Sequence, residues 1–220
     1  LLLRVRAGRP ATAIGLDPLA GYTAAKVLFT VQGQISILVA GLLSVEAAGA
    51  YTAAFRSSTP IAAAMIALRF LAGPMVAAGA HEGRLAEVGV SIRRYARLGF
   101  LLAVIPSAVA FVFPSFVLGL FGDEFTGAAS ALRVLAGVQL ASTLFGPVDM
   151  VATMTGHERQ VARWMGTAVT VQLGLALPLL ALDELTVTRL ALVDGLGTLT
   201  WIDGVWTVSR RRVGNTGSVL

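Results

Sequence analysis

The sequence predicts an all-α integral membrane protein of six transmembrane helices, on three observations. Hydrophobic residues make up 56% of the 220 residues and charged residues only 13%, against roughly 25% charge in a soluble globular chain. Six apolar runs reach the roughly 20 residues that a helix needs to cross a bilayer. The segments joining those runs alternate between basic and acidic. With a mean hydropathy of +0.79, the chain lacks the polar surface to coat a core in water. This excludes a soluble enzyme, a disordered segment and a secreted disulfide scaffold. A sequence without cysteine also excludes disulfides, thiolate metal sites and cysteine nucleophiles.

The expected spans are 24–43, 47–71, 98–121, 128–154, 161–182 and 187–208. They leave only short loops and no extramembrane domain. Arg4, Arg6, Arg9 and Lys26 precede or open the first span. Arg84, Arg93, Arg94 and Arg97 lie between spans two and three, His157, Arg159 and Arg163 between spans four and five, and Arg210, Arg211 and Arg212 after span six. The alternate loops carry Glu46, then Asp123 and Glu124, then Asp183 and Glu184. By the positive-inside rule both termini are cytoplasmic. The same rule accounts for the net charge of +5 without nucleic acid as a partner, since no aromatic stacking platform accompanies the basic tracts.

Leu85, Val88, Ile92 and Tyr95 recur at three- and four-residue spacing among the charges of the second cytoplasmic loop. That spacing predicts an amphipathic helix lying on the membrane. Pro60, Pro106, Pro114, Pro147 and Pro178 fall inside the apolar runs, where each removes a helical hydrogen bond and predicts a kink. The Ala- and Gly-rich stretches permit close helix contacts.

A charge near the bilayer midplane costs about 2.5–3.5 kcal/mol on insertion scales and so faces a cavity or a partner. Arg56 lies nine residues into the second span, roughly 14 Å deep at 1.5 Å per residue. Asp194 and Asp203 lie within the last span. These three residues call for a cavity or for pairing with one another. Arg133 and Arg189 are close enough to outer helix ends to snorkel, and Asp149 stands near the inner end of the fourth span. Gln32, Gln34, Gln139 and Gln172 add neutral polar groups suited to helix-to-helix hydrogen bonds. His81 and His157 sit in loops without triad or metal-ligand partners, so no catalytic constellation, metal site or cofactor is expected.

GAYTAAFR (Gly49 to Arg56), followed by Pro60, resembles the opening of the eighth helix of bacterial polysaccharide flippases. These are the lipid-linked oligosaccharide exporters of the multidrug/oligosaccharidyl-lipid/polysaccharide superfamily. The stretch LFGDEFTGAASALRVLAGVQLASTLFGPVDMVATMTGHER (Leu120 to Arg159) resembles that family's ninth-to-eleventh helix region, and Trp206 with Arg210 to Gly214 is a looser match. The resemblance implies the C-terminal lobe of a twelve-helix, two-lobe carrier, with residues 1–20 a cytoplasmic linker, 21–212 the six-helix lobe and 213–220 a cytoplasmic tail. Asp194 and Asp203 depart from the family pattern.

The function so implied is translocation of an undecaprenyl-pyrophosphate-linked oligosaccharide across the bacterial plasma membrane, with no covalent chemistry. Arg56, Gln32 and Gln139 would bind the substrate, the cation of Arg56 attracting the diphosphate. The partners are the lipid-linked sugar, membrane lipid and an N-terminal six-helix lobe. The chain opens Leu1-Leu2-Leu3-Arg4, without Met or a signal-peptide pattern, which points to a piece of a longer carrier. A drug or ion antiporter of the same superfamily, with Asp194 and Asp203 as cation or proton sites, is the alternative. A non-transporting scaffold of a polysaccharide assembly complex is a third reading.

Overall fold

A computed structural model describes residues 16–82 and 85–213, which are helical with no strand among them. In chain order the elements are α1 (Leu16–Leu43), α2 (Val45–His81), α3 (Leu85–Val112), α4 (Pro114–Gly119), a 3-10 turn (Asp123–Ala128), α5 (Ala129–Leu144), α6 (Val148–Met154), α7 (Glu158–Ala181) and α8 (Val187–Val213). Three helical segments are long and apolar enough to cross a membrane: Ala20–Leu43, Gly89–Val112 and Glu158–Ala181. Two bent pairs, Val45–Ala63 with Met65–Gly79 and Asp123–Leu144 with Val148–Met154, raise the number to five when each is counted as one span.

The sixth expected span needs correction. Residues 187–208 are helical, within α8, but the helix is not among those apolar enough to cross. Arg189, Asp194 and Asp203, spread along it, lower its hydropathy. Two other expectations change at prolines. The run 98–121 is not one helix: α3 stops at Val112 and Pro114 opens the short α4, a position where its missing N–H costs nothing. The run 128–154 breaks by 46° between α5 and α6. Gly146 takes φ +67 there, a conformation most residues avoid, and Pro147 follows it. Beyond Pro60, α2 bends by 41°; the proline offers no N–H to the carbonyl of Arg56.

The segment expected to lie on the membrane is instead the first three turns of α3, continuous with the apolar part of that helix. Ile92 is fully buried against Val76 of α2 and Val151 of α6. Ile92 therefore serves helix packing rather than a lipid surface. The side chains of Leu85 and Val88 lie outside the described residues, as do Arg84, the linker up to residue 15 and the tail from residue 214. Helix α1 already begins at Leu16, within the expected linker.

Side-chain contacts fix the helix directions. Gly21 of α1 lies against Glu158 and Arg159 of α7, and further along Ser36 meets Gln172, so these two helices run parallel. Helix α8 runs antiparallel to α1, with Ser36 beside Asp194, Gln32 beside Thr198 and Phe29 beside Trp201. At one end of the bundle Phe125 packs on Gly49, close to Glu46, Asp123 and Glu124. Asp183 and Glu184 in the α7–α8 turn belong to the same, acidic, end. There Arg189 pairs with Glu184 at 2.8 Å and Arg133 Nε donates to the Phe111 carbonyl at 3.1 Å. The opposite, basic, end carries Arg93, Arg94, Arg159 and Arg163.

The core is built largely from small residues. Ala40, Ala54, Ala103, Ala131, Ala136, Ala176 and Ala191 are all fully buried, around larger side chains such as Tyr51, Ile61, Leu118, Leu132 and Leu190. A second cluster around Met165, Trp201 and Val205 lies nearer the basic end. Backbones approach closely where side chains are short, which is how helices gain contact in lipid without a hydrophobic drive.

Candidate functional site

Four helices bring a polar cluster together inside the bundle. On α1, Gln32 and Ser36 are four residues apart and share a face. On α8, Asp194 and Thr198 do the same. Antiparallel packing sets these faces opposite each other: Gln32 Nε2 donates to Thr198 Oγ1 at 3.2 Å, and Ser36 Oγ donates to Asp194 Oδ1 at 3.2 Å. Helix α7 adds Gln172, fully buried, whose Nε2 lies 2.9 Å from Asp194 Oδ1 and 2.6 Å from Ser36 Oγ. Helix α2 adds Tyr51, also fully buried, with its hydroxyl beside Ser36 and Asp194 but outside hydrogen-bond geometry to either.

Asp194 is 7% exposed. Its carboxyl is held by neutral donors alone; among the described residues no Lys or Arg pairs with it. A buried carboxyl with hydroxyl and amide neighbours and no counter-charge is a group that can accept a proton or a cation.

Gln32, Asp194 and Thr198 form one wall of a cavity of about 420 Å³. Gln139 and Ser142 of α5 line it from another side, and the edge-to-face pair of Phe29 and Trp201, centroids 6.3 Å apart, lies nearby on its lining. Helix α2 contributes Phe55, Ala62, Met65, Ile66 and Arg69. The Arg69 guanidinium pairs with Asp149 of α6: Nη1 donates to Oδ2 at 3.1 Å, and Nη2 lies 3.0 Å from Oδ1, which is left without a hydrogen bond.

Of the residues singled out in the sequence, the fold brings Gln32, Gln34, Gln139, Asp149 and Asp194 to one cavity. Arg56 and Asp203 stand apart from it, and both are exposed. Depth alone suggested that Arg56 faces the cavity. Phe55 takes that position, and the next residue on a helix is turned by about 100°. Nor is Arg56 paired with Asp194 or Asp203: among the described residues it has no ion-pair partner. Gln172 makes the interhelical bonds its residue type suggests.

Arg69, Ser36, Tyr51 and Thr198 were not evident from composition or depth. A signal for them exists in the helical spacing. Arg69 follows Phe55, Ala62 and Ile66 at steps of seven, four and three residues, and Ser36 and Thr198 each follow a polar residue by four.

Chemically the cavity offers amides, hydroxyls, aromatic faces, one internal ion pair and one buried carboxyl. No His, Asp and Glu gather into a metal-ligand group among the described residues, and His157 is engaged with Thr155 at 3.1 Å. Comparison with known families, with curated proteins and with solved structures returns no match for this chain.

Proposed function

We propose that this chain is one lobe of a membrane carrier that moves a lipid-linked oligosaccharide of the undecaprenyl-pyrophosphate type across the plasma membrane for polysaccharide export. The observation that supports this reading is the cavity, a largely apolar recess of about 420 Å³ with amide, hydroxyl and charged side chains set into its wall, in a bundle of apolar helices. The side chains of Gln139 and Gln34 make no hydrogen bond to another described residue, and amides supply both donors and acceptors for sugar hydroxyls. Phe29 and Trp201 supply apolar faces against which sugar C–H groups pack.

On this reading the sugar head occupies the cavity and the lipid tail stays in the bilayer. The diphosphate goes to Arg56, on the exposed side of α2 one residue from the cavity wall, because Arg69 is already neutralised by Asp149. The second lobe covers the open side of the cavity, and rocking of the two lobes provides alternating access. The basic end faces the cytoplasm, as the positive-inside rule requires.

A second reading, a drug or ion antiporter, is favoured by the charges on the cavity wall. Among the described residues Arg69 is the one cation there, against the two carboxylates of Asp149 and Asp194, a balance that suits a cationic ligand.

Binding separates the two. The chain in lipid nanodiscs, with Trp164 and Trp206 replaced by Phe so that Trp201 alone reports, is titrated with undecaprenyl-pyrophosphate-linked sugar, with undecaprenyl pyrophosphate and with Na⁺. The flippase reading expects quenching by the sugar-bearing lipid, weakened severalfold by Gln139→Ala and by Arg56→Gln. A response to Na⁺ alone, abolished by Asp194→Asn, would instead establish the antiporter reading.

A further inference from the structure

The two bent helices are joined to each other beyond their bends, and the joint lies on the cavity. Helix α2 turns by 41° between Val45–Ala63 and Met65–Gly79, and the α5–α6 pair turns by 46° between Asp123–Leu144 and Val148–Met154. Both bends sit at sites of low backbone resistance: the carbonyl freed by Pro60, and the Gly146-Pro147 step with its positive φ. Past them, the far half of α2 and all of α6 run toward the basic end.

What holds those two segments together is limited. Val76, Ile92 and Val151 form a small cluster, separate from the two main cores, with Met150 packed on it. The other link among the described residues is the Arg69–Asp149 ion pair, with side-chain exposures of 31% and 14%, both residues on the cavity lining. Arg69 Nε and Asp149 Oδ1 have no hydrogen-bond partner, so a single hydrogen bond, Nη1 to Oδ2 at 3.1 Å, joins the guanidinium to α6. An ion pair that leaves a carboxylate oxygen and a guanidinium nitrogen without hydrogen bonds is a weaker link than a full bidentate pair, and such a link between two hinged segments can open reversibly.

We propose that Arg69 and Asp149 form the clasp of a gate. With the ion pair closed, the far half of α2 and α6 shut the cavity toward the basic end of the bundle. With it open, the segments swing about Pro60 and Gly146-Pro147 and admit solute from that end. The device does not depend on which solute the cavity carries.

The sequence contains no cysteine, so one introduced thiol reads the gate directly. Ser142→Cys on the cavity lining is labelled with a water-soluble maleimide in proteoliposomes. Arg69→Gln or Asp149→Asn should raise the labelling rate by about threefold to fivefold, the population change that one weak ion pair controls. The charge swap Arg69→Asp with Asp149→Arg should return the rate to that of the parent. Arg69→Lys, which keeps the charge but loses the guanidinium's reach and geometry, should lie between and serves if the neutral variants do not fold. Unchanged rates in a folded neutral variant or in the Lys variant overturn the clasp. So does a swap as fast as the single variants, which would mark general loosening rather than a lost pair.

Discussion

The indole of Trp164 on α7 occupies the space that a side chain on Gly204 of α8 would fill. Gly204 is buried, and the indole packs directly on the α8 backbone there. Gly204→Ala should therefore cost about 1–3 kcal/mol, the usual range for forcing an extra methyl into a packed interface. Gly174 on α7 is exposed with nothing within 4 Å of a new Cβ, and Gly174→Ala should be neutral or stabilise by up to about 1 kcal/mol. Denaturation of both variants in mixed micelles tests the contrast. Equal effects would show that Trp164 moves aside freely.

The cluster around Asp194 yields a coupling prediction. Gln172 Nε2 bonds both Asp194 Oδ1 and Ser36 Oγ, so removing Gln172 or Asp194 leaves the other one hydrogen bond short in a buried site. Gln172→Ala and Asp194→Ala should each destabilise the bundle by about 1–3 kcal/mol. The double variant should cost less than the two together, with a coupling of about 0.5–2 kcal/mol, within the range seen between membrane helices. Strictly additive losses would mean that the two side chains do not act as a unit.

Two helix ends share one backbone motif but not one residue type. At the end of α6, His157 N donates to the Ala152 carbonyl at 2.9 Å and Gly156 N to Thr153 at 3.2 Å; at the end of α7, Glu184 N donates to Leu179 at 2.9 Å and Asp183 N to Leu180 at 3.1 Å. Gly156 has φ +79 and Asp183 φ +56, the left-handed residue of each cap. Gly156→Ala meets no atom within 4 Å and should cost about 1–2 kcal/mol through backbone strain alone. Asp183→Gly should gain up to about 1 kcal/mol by relieving the same strain. A loss at Asp183 would mean that its carboxyl does more for the turn than its backbone costs.

Helix content and the apolar runs were legible because hydropathy and length report them directly. The sorting of Glu46, Asp123 and Asp183 away from Arg94 and Arg159 followed from counting reversals between runs. What hydropathy could not supply was continuity: Pro60 and Pro106 stay inside helices, whereas Pro114 and Pro147 end them. A proline's ring forbids the same hydrogen bond in every case, and only the surrounding packing decides between bend and break. The cavity was half legible. Gln32, Gln139 and Asp194 stood out as polar residues in apolar runs, but depth says nothing of azimuth. Arg56 and Arg69 sit on one helix 13 residues apart, and only the packing of α2 against α5 and α6 puts the second on the cavity and the first outside it.

That difference makes Arg56 the most exacting test of the helix orientation. Arg56 is exposed, and among the described residues nothing pairs with it. Arg56→Gln should consequently change unfolding stability by no more than about 0.5 kcal/mol, as for a surface substitution away from any network. Were Arg56 instead bound to a buried acid, its loss would leave that acid uncompensated and cost about 3–5 kcal/mol. Asp194→Asn or Asp203→Asn would then rescue the loss. Denaturation of Arg56→Gln, alone and with each Asn partner, distinguishes the two. A large loss restored by either partner would mean that α2 is rotated by about a third of a turn from the orientation described, and would return Arg56 to the interior.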